Sequence, residues 1–193
     1  MGSGKSTVSR RFQEHGATLL EGDVLGWEVL ERTEVKEALA ICFGAGALAA
    51  DGSVDRRALG RRVFGDPSAM AALNAIVQPV LLARVRESLA ALRGDVVAVL
   101  DAAMLAVWRL EPEMDGVVEV FAPAELRIAR LQASQGFSEA EARERVLGQT
   151  LPKVRNARRS WRIENTGTPA ELLTKADQVW LQIARLRGGR GTG

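Results

Sequence analysis

Gly2-Ser3-Gly4-Lys5-Ser6-Thr7 opens the chain, and Gly4-Lys5-Ser6 is the closing half of the pattern G-x-x-x-x-G-K-[ST]. The residue types suit a loop that wraps phosphate. Glycines let backbone N–H groups close on phosphate oxygens, because no Cβ obstructs the approach. Lys5 supplies a mobile positive charge for β and γ phosphates, and the Ser6 hydroxyl is a hard oxygen of the kind Mg²⁺ takes. Thr7 to Glu14 is expected to run as a helix whose positive N-terminal end faces the anion. The first Gly of the full pattern would fall just ahead of Met1, and the apolar strand that normally feeds such a loop is missing from the sequence. The expectation is that the natural start lies upstream, or that the sequence is a fragment.

Composition narrows the class. A chain of 193 residues, 47% of them apolar, fits one globular domain with room for a small inserted lid. We read residues 1–187 as that domain and 188–193, rich in Gly and Arg, as a disordered tail. Lys and Arg total 26 against 24 acids, a net charge of +2 that gives no argument for a nucleic-acid partner. The lone Cys42 excludes an internal disulfide framework and suits a reducing compartment. Its apolar surroundings, Ala38 to Phe43, predict a buried structural thiol. His15 is the only histidine, which speaks against His-based metal or nucleophile chemistry, and its place beside Gly16 predicts a helix-end role. No secretory signal is visible, and no stretch approaches the roughly 20 apolar residues that cross a bilayer. The expectation is a soluble cytoplasmic protein without a membrane partner.

Acids at strand ends carry the next signal. Ala17 to Leu20 is a short apolar run ending in Glu21-Gly22-Asp23, and Val96 to Leu100 is a β-branched buried strand ending in Asp101. Ligands of α/β proteins gather at the carboxyl ends of parallel strands, so Asp23 and Asp101 are candidate site residues, although either could also cap the following helix. An Asp placed like Asp101 is the usual partner of a phosphate loop, holding Mg²⁺ directly or through water, which makes Ser6 and Asp101 the candidate metal ligands.

Helical spacing covers Val24 to Ala40, with a turn at Asp51-Gly52. Ser53-Val54-Asp55 caps a basic helix from Arg56 to Phe64, and Asp66-Pro67-Ser68 starts another that Gln78-Pro79 interrupts before Val80 to Leu92. A strand at Gly116 to Phe121 precedes a helix from Ala124 to Gln135. Ser138 and Glu141 form a capping box for a helix to Gln149. Pro152 to Ser160 is basic, through Lys153, Arg155, Arg158 and Arg159; it reads as a solvated face or a lid over phosphates. Trp161 to Asn165 is a last strand and Pro169 to Leu186 a terminal helix. Trp108 and Trp161 read as core or helix-surface residues rather than pocket walls. The fold class that follows is α/β, a parallel sheet flanked by helices as in P-loop kinases, with a helical insert and a short lid.

The ordered set of motifs resembles the dephospho-coenzyme A kinases from Gly2 to about Leu181. Glu21-Gly22-Asp23 is similar to that family's Asp-x-Asp. Phe43-Gly44, Asp51-Gly52, Arg56-Arg57, Leu59, Val63-Phe64, Leu73-Asn74 and Pro79 follow its register. Asp115-Gly116, Ala122-Pro123, Arg130-Leu131 and Asn165-x-Gly167 resemble its later signatures. The resemblance implies transfer of the γ-phosphoryl group of ATP, with Mg²⁺, to the 3′-hydroxyl of dephospho-CoA, the last step of CoA synthesis. It makes Asp23 the general base and Lys5 the catalytic cation. Gly2, Ser3, Gly4, Lys5, Ser6 and Thr7 would be the nucleotide-binding residues.

The chain departs from the family pattern at Glu21, at Trp27 where a basic residue is usual, and at Gln78 where His is usual. It departs again at Ala103 to Val107, where an acid is lost, at Ser134 where Arg is usual, and at Arg159-Ser160. Arg155, Arg158 and Arg159 are candidates to replace the lid charge. A non-catalytic nucleotide- or CoA-binding relative, and a kinase for another small alcohol, stay open on the residues alone.

Overall fold

The computed structural model describes residues 1–63, 65–94, 96–148 and 154–188. In chain order the first half holds α1 (Lys5–Glu14), β1 (Thr18–Glu21), α2 (Gly22–Leu30), α3 (Thr33–Phe43), α4 (Arg56–Val63) and α5 (Pro67–Ala91). The second half holds β2 (Ala98–Asp101), α6 (Leu105–Trp108), β3 (Val117–Phe121), α7 (Ala124–Gln135), α8 (Glu139–Gly148), β4 (Ser160–Glu164) and α9 (Pro169–Gly188). Two compact units result. One comprises residues 1–19 and 97–193, the other residues 20–96.

The first unit is the α/β part. β3 and β4 pair in parallel from Val117 opposite Ser160 to Phe121 opposite Glu164. β1 pairs with β2, and the Thr18 N–H donates to Val97 O at 2.8 Å. Val8 and Phe12 of α1 meet Ile163 of β4 and Leu172, Ala176 and Val179 of α9 in one buried cluster. Their spacing, four apart on α1 and four then three apart on α9, puts each set on one helix face. A satellite cluster joins Ile128 and Leu131 of α7 to Ala142 and Val146 of α8. The α/β class and the parallel pairing are as the sequence predicts, while β2 is shorter than Val96–Asp101 and only half-buried. A strand paired on one side keeps part of its surface open.

The second unit is built on helices. Val35, Leu39 and Phe43 bury one face of α3, and Leu25 and Val29 one face of α2. Cys42 is exposed, against the expectation of a buried thiol. Burial on α3 falls on the residues four apart, and an apolar stretch of helix has only one inward side. The pattern over Val24 to Ala40 is also two helices, separated at Glu31-Arg32. Gln78-Pro79, read as an interruption, lies inside the continuous α5. Pro removes one donor and bends a helix without having to end it. That continuity makes Pro67–Ala91 long and apolar enough by length and composition to cross a membrane, a stretch the sequence reading divides and so does not count. Here α5 packs with α2, α3 and α4, and Arg84 pairs with Glu28 at 3.0 Å.

The predicted caps are in place. The Asp55 carboxylate accepts from the N–H groups of Arg57 and Ala58, and Asp66 from those of Ser68 and Ala69. Ser138 and Glu141 close their box. Phe64, Gln149 and Lys153, the start of the basic segment, and residues 189–193 of the tail lie outside the described residues.

Candidate active site

The loop ahead of α1 is shaped by two glycines with left-handed backbones, Gly2 at φ 74° and Gly4 at φ 95°. An L side chain there costs about 1–2 kcal/mol in backbone strain alone. Space forbids one as well. A Cβ on Gly2 would come 2.9 Å from the Arg127 carbonyl oxygen, and one on Gly4 would come 2.5 Å from Asn165 Nδ2. Gly4 O then accepts from the Thr7 and Val8 N–H groups, which starts α1 at Lys5, two residues earlier than the sequence reading places it.

Three consecutive loop carbonyls are held by side chains from distant parts of the first unit. Arg127 Nε donates to Met1 O at 2.7 Å, an Arg130 guanidinium nitrogen reaches Gly2 O at 3.5 Å, and Asn165 Nδ2 donates to Ser3 O at 2.8 Å. Arg130 also donates to Asn165 O and Oδ1 at 3.2 and 3.1 Å, so the amide is fixed at both ends. A trans peptide points its C=O and the next N–H in opposite directions. Turning these carbonyls toward α7 and the end of β4 therefore turns the N–H groups of Gly2, Ser3 and Gly4 away, which is the orientation an anion needs. Burial holds Arg127 below its usual value, and a guanidinium remains charged there.

Lys5 and Asp101 form an ion pair. The Asp101 side chain is 8% exposed, and the Lys5 ammonium faces its Oδ1. Ser6 follows in the exposed first turn of α1, beside Thr7. The structure thus brings the predicted loop residues and Asp101 together within the first unit. Asp23 belongs to the second unit, exposed in the first turn of α2, and Glu21 at the N-terminal end of that helix makes no side-chain cap. Of the basic segment, Arg155, Arg158 and Arg159 are exposed, and Arg158 lies 3.9 Å from Asp115. Trp161 packs on the core and donates from its indole to Gln182 at 2.8 Å, as the core reading predicts.

Sequence reading gave no site role to Arg127, Arg130 or Asn165. Their partners lie 126, 128 and 162 residues away, beyond any local pattern. The one available signal was the family resemblance at Arg130 and Asn165. A second capping box, Thr168 with Glu171, also went unread; its Glu171 carboxylate accepts from the Thr168 N–H at 2.7 Å and fixes the turn just after Asn165.

A glycine loop clamped from behind leads into a helix of an α/β unit, with a strand-end acid against its lysine, which is the layout of a P-loop fold. The profile of the CoaE dephospho-CoA kinase family matches residues 1–171, and the chain belongs to that family. It is 38% identical to the dephospho-CoA kinase of Anaeromyxobacter dehalogenans over 98% of this chain and 90% of that one. It is 40% identical to that of Mycolicibacterium paratuberculosis over 93% of this chain, but spans only 44% of that longer protein. The crystal structure of TT1252 from Thermus thermophilus superposes with a TM-score of 0.74 at 32% identity, covering 94% of this chain and 92% of that one.

Proposed function

We propose that the chain transfers the γ-phosphoryl group of ATP to the 3′-hydroxyl of dephospho-CoA, giving CoA and ADP. The observation that carries the reading is the clamped loop with Lys5 against Asp101, in a chain of this family. A bond forms between the ribose 3′-oxygen and Pγ, and the bond from Pγ to the β,γ-bridging oxygen breaks, its electrons leaving on ADP. The hydroxyl proton passes to the Asp23 carboxylate, the general base in this reading. Loop N–H groups of Gly2 to Thr7 and the Lys5 ammonium hold the phosphates, and most of the acceleration comes from that positioning and charge.

Ser6 and Asp101 are the residues that would hold Mg²⁺. Among the described residues no three His, Cys, Asp or Glu side chains converge as a metal cage. Mg²⁺ at phosphates needs less, one or two protein oxygens completed by phosphate and water, and a hydroxyl with a buried carboxylate is a donor set of that hard-oxygen kind. When bound, the ion would neutralise the negative charge of the transferring phosphoryl group. The exposed Arg155, Arg158 and Arg159 supply lid charge in place of the family arginine at Ser134. Residues 1–187 act as one kinase domain in this account, in a reducing compartment such as the cytoplasm that suits the lone Cys42.

The test is ADP release from ATP with dephospho-CoA, run beside ATP alone and beside other small alcohols. Turnover that depends on dephospho-CoA supports the proposal. Turnover only on another alcohol, or tight nucleotide binding with no turnover, overturns it in favour of a different kinase or a non-catalytic relative.

A further inference from the structure

Trp27 stands where the family pattern has a basic residue, and it is the most exposed of the described aromatic side chains, at 51%. On α2 the buried residues Leu25 and Val29 define the inward face. Asp23 and Trp27, four apart, share the opposite face, where such neighbours sit about 6 Å from one another. The indole is not loose. The Arg56 guanidinium lies 5.0 Å from its ring centroid, within the roughly 6 Å of a cation–π contact. Arg56 is itself fixed as the first residue of α4 by the Asp55 cap on the next two N–H groups. The second unit therefore holds a half-exposed aromatic plate on the same helix face as Asp23 and one turn from it.

We propose that Trp27, steadied by Arg56, is the stacking platform for the adenine of the acceptor and sets its preference for a purine. This rests on the reading of Asp23 as the base for a ribose 3′-hydroxyl. The planar group nearest that hydroxyl is the base on the same ribose, and an aromatic face one turn from the carboxylate is placed to receive it. Stacking tolerates any base to a degree but is strongest for the larger π surface, so it supplies preference without a dedicated hydrogen-bond code.

The experiment pairs Trp27→Ala and Trp27→Phe with two acceptors, dephospho-CoA and its analogue carrying uracil in place of adenine. Wild type should use the adenine form with a lower KM. Trp27→Ala should raise the KM for dephospho-CoA about tenfold, the scale of one base–aromatic stack. It should leave the KM for ATP unchanged and abolish the preference between the two acceptors. Trp27→Phe should keep most of the affinity. An unchanged KM for dephospho-CoA in Trp27→Ala overturns the proposal.

A binding readout separates this from failure of the kinase reading. Dephospho-CoA titrated into wild type should quench tryptophan fluorescence saturably, and the quench should vanish in Trp27→Phe yet persist in Asp23→Asn. If wild type shows no turnover, loss of the quench in Trp27→Phe still supports the platform. An equal quench in wild type and Trp27→Phe overturns it.

Discussion

Asn165 does for the loop what no residue inside the loop can do. It fills the space a Gly4 side chain would need and donates to Ser3 O while receiving Arg130. Its side chain is buried, so removing it leaves a carbonyl and a guanidinium short of a partner at about 1–3 kcal/mol. Asn165→Ala should lower stability by that order in denaturant melts and weaken ATP binding by calorimetry; unchanged ATP affinity would count against the clamp. Gly4→Ala meets both the left-handed backbone and Asn165, and should abolish ATP binding even where the protein still folds. Asp23→Asn removes only a proton acceptor. Turnover should fall about 100-fold or more, the usual contribution of a general base, with ATP binding intact. Near-normal turnover would remove Asp23 from the chemistry.

Between elements, the helix that carries Lys5 and Ser6 is tied at its far end. Arg11 donates twice to Asp177 of α9, at 2.6 and 2.9 Å, and His15 Nε2 lies 2.7 Å from the same carboxylate while its ring stacks on Trp180. Arg11 first, and then His15, hold Asp177 well below its ordinary value of 3.8. A depressed folded-state value means the contribution is complete above 3.8 and fades as pH falls below it. Asp177→Asn should therefore lower Tm at neutral pH, with the gap from wild type closing as the acid limb is entered; a gap constant down that limb would contradict the staple. His15 as a helix-end residue was legible from Gly16, but its carboxylate partner was not. The caps at Asp55, Asp66 and Ser138 were legible because their chemistry spans three residues. Pro79 misled, because one missing donor inside a long helix is a bend and the packing of α5 decides its continuity.

For the whole molecule, the same division holds. Gly4-Lys5-Ser6 and the strand-end Asp101 could be found in the sequence because the loop pattern is contiguous and an apolar, β-branched run advertises its end. Their pairing, Lys5 with Asp101, follows from β2 and α1 sharing one unit. The Arg127–Arg130–Asn165 clamp was not legible, since it exists only once α7 and the end of β4 reach the loop. Trp27 was visible as a departure from the family, and only the exposed indole with Arg56 over it gives that departure a use. ATP should raise Tm of wild type, by linkage to binding, and raise that of Lys5→Ala much less.

The position of the transferred phosphate defines the reaction. Phosphorus NMR of the product from ATP and dephospho-CoA should show a new monoester coupled to the ribose 3′ proton, formed by wild type and about 100-fold or more slowly by Asp23→Asn. A product phosphorylated elsewhere, or ATP consumed with dephospho-CoA unchanged, would rule out transfer to the 3′-hydroxyl.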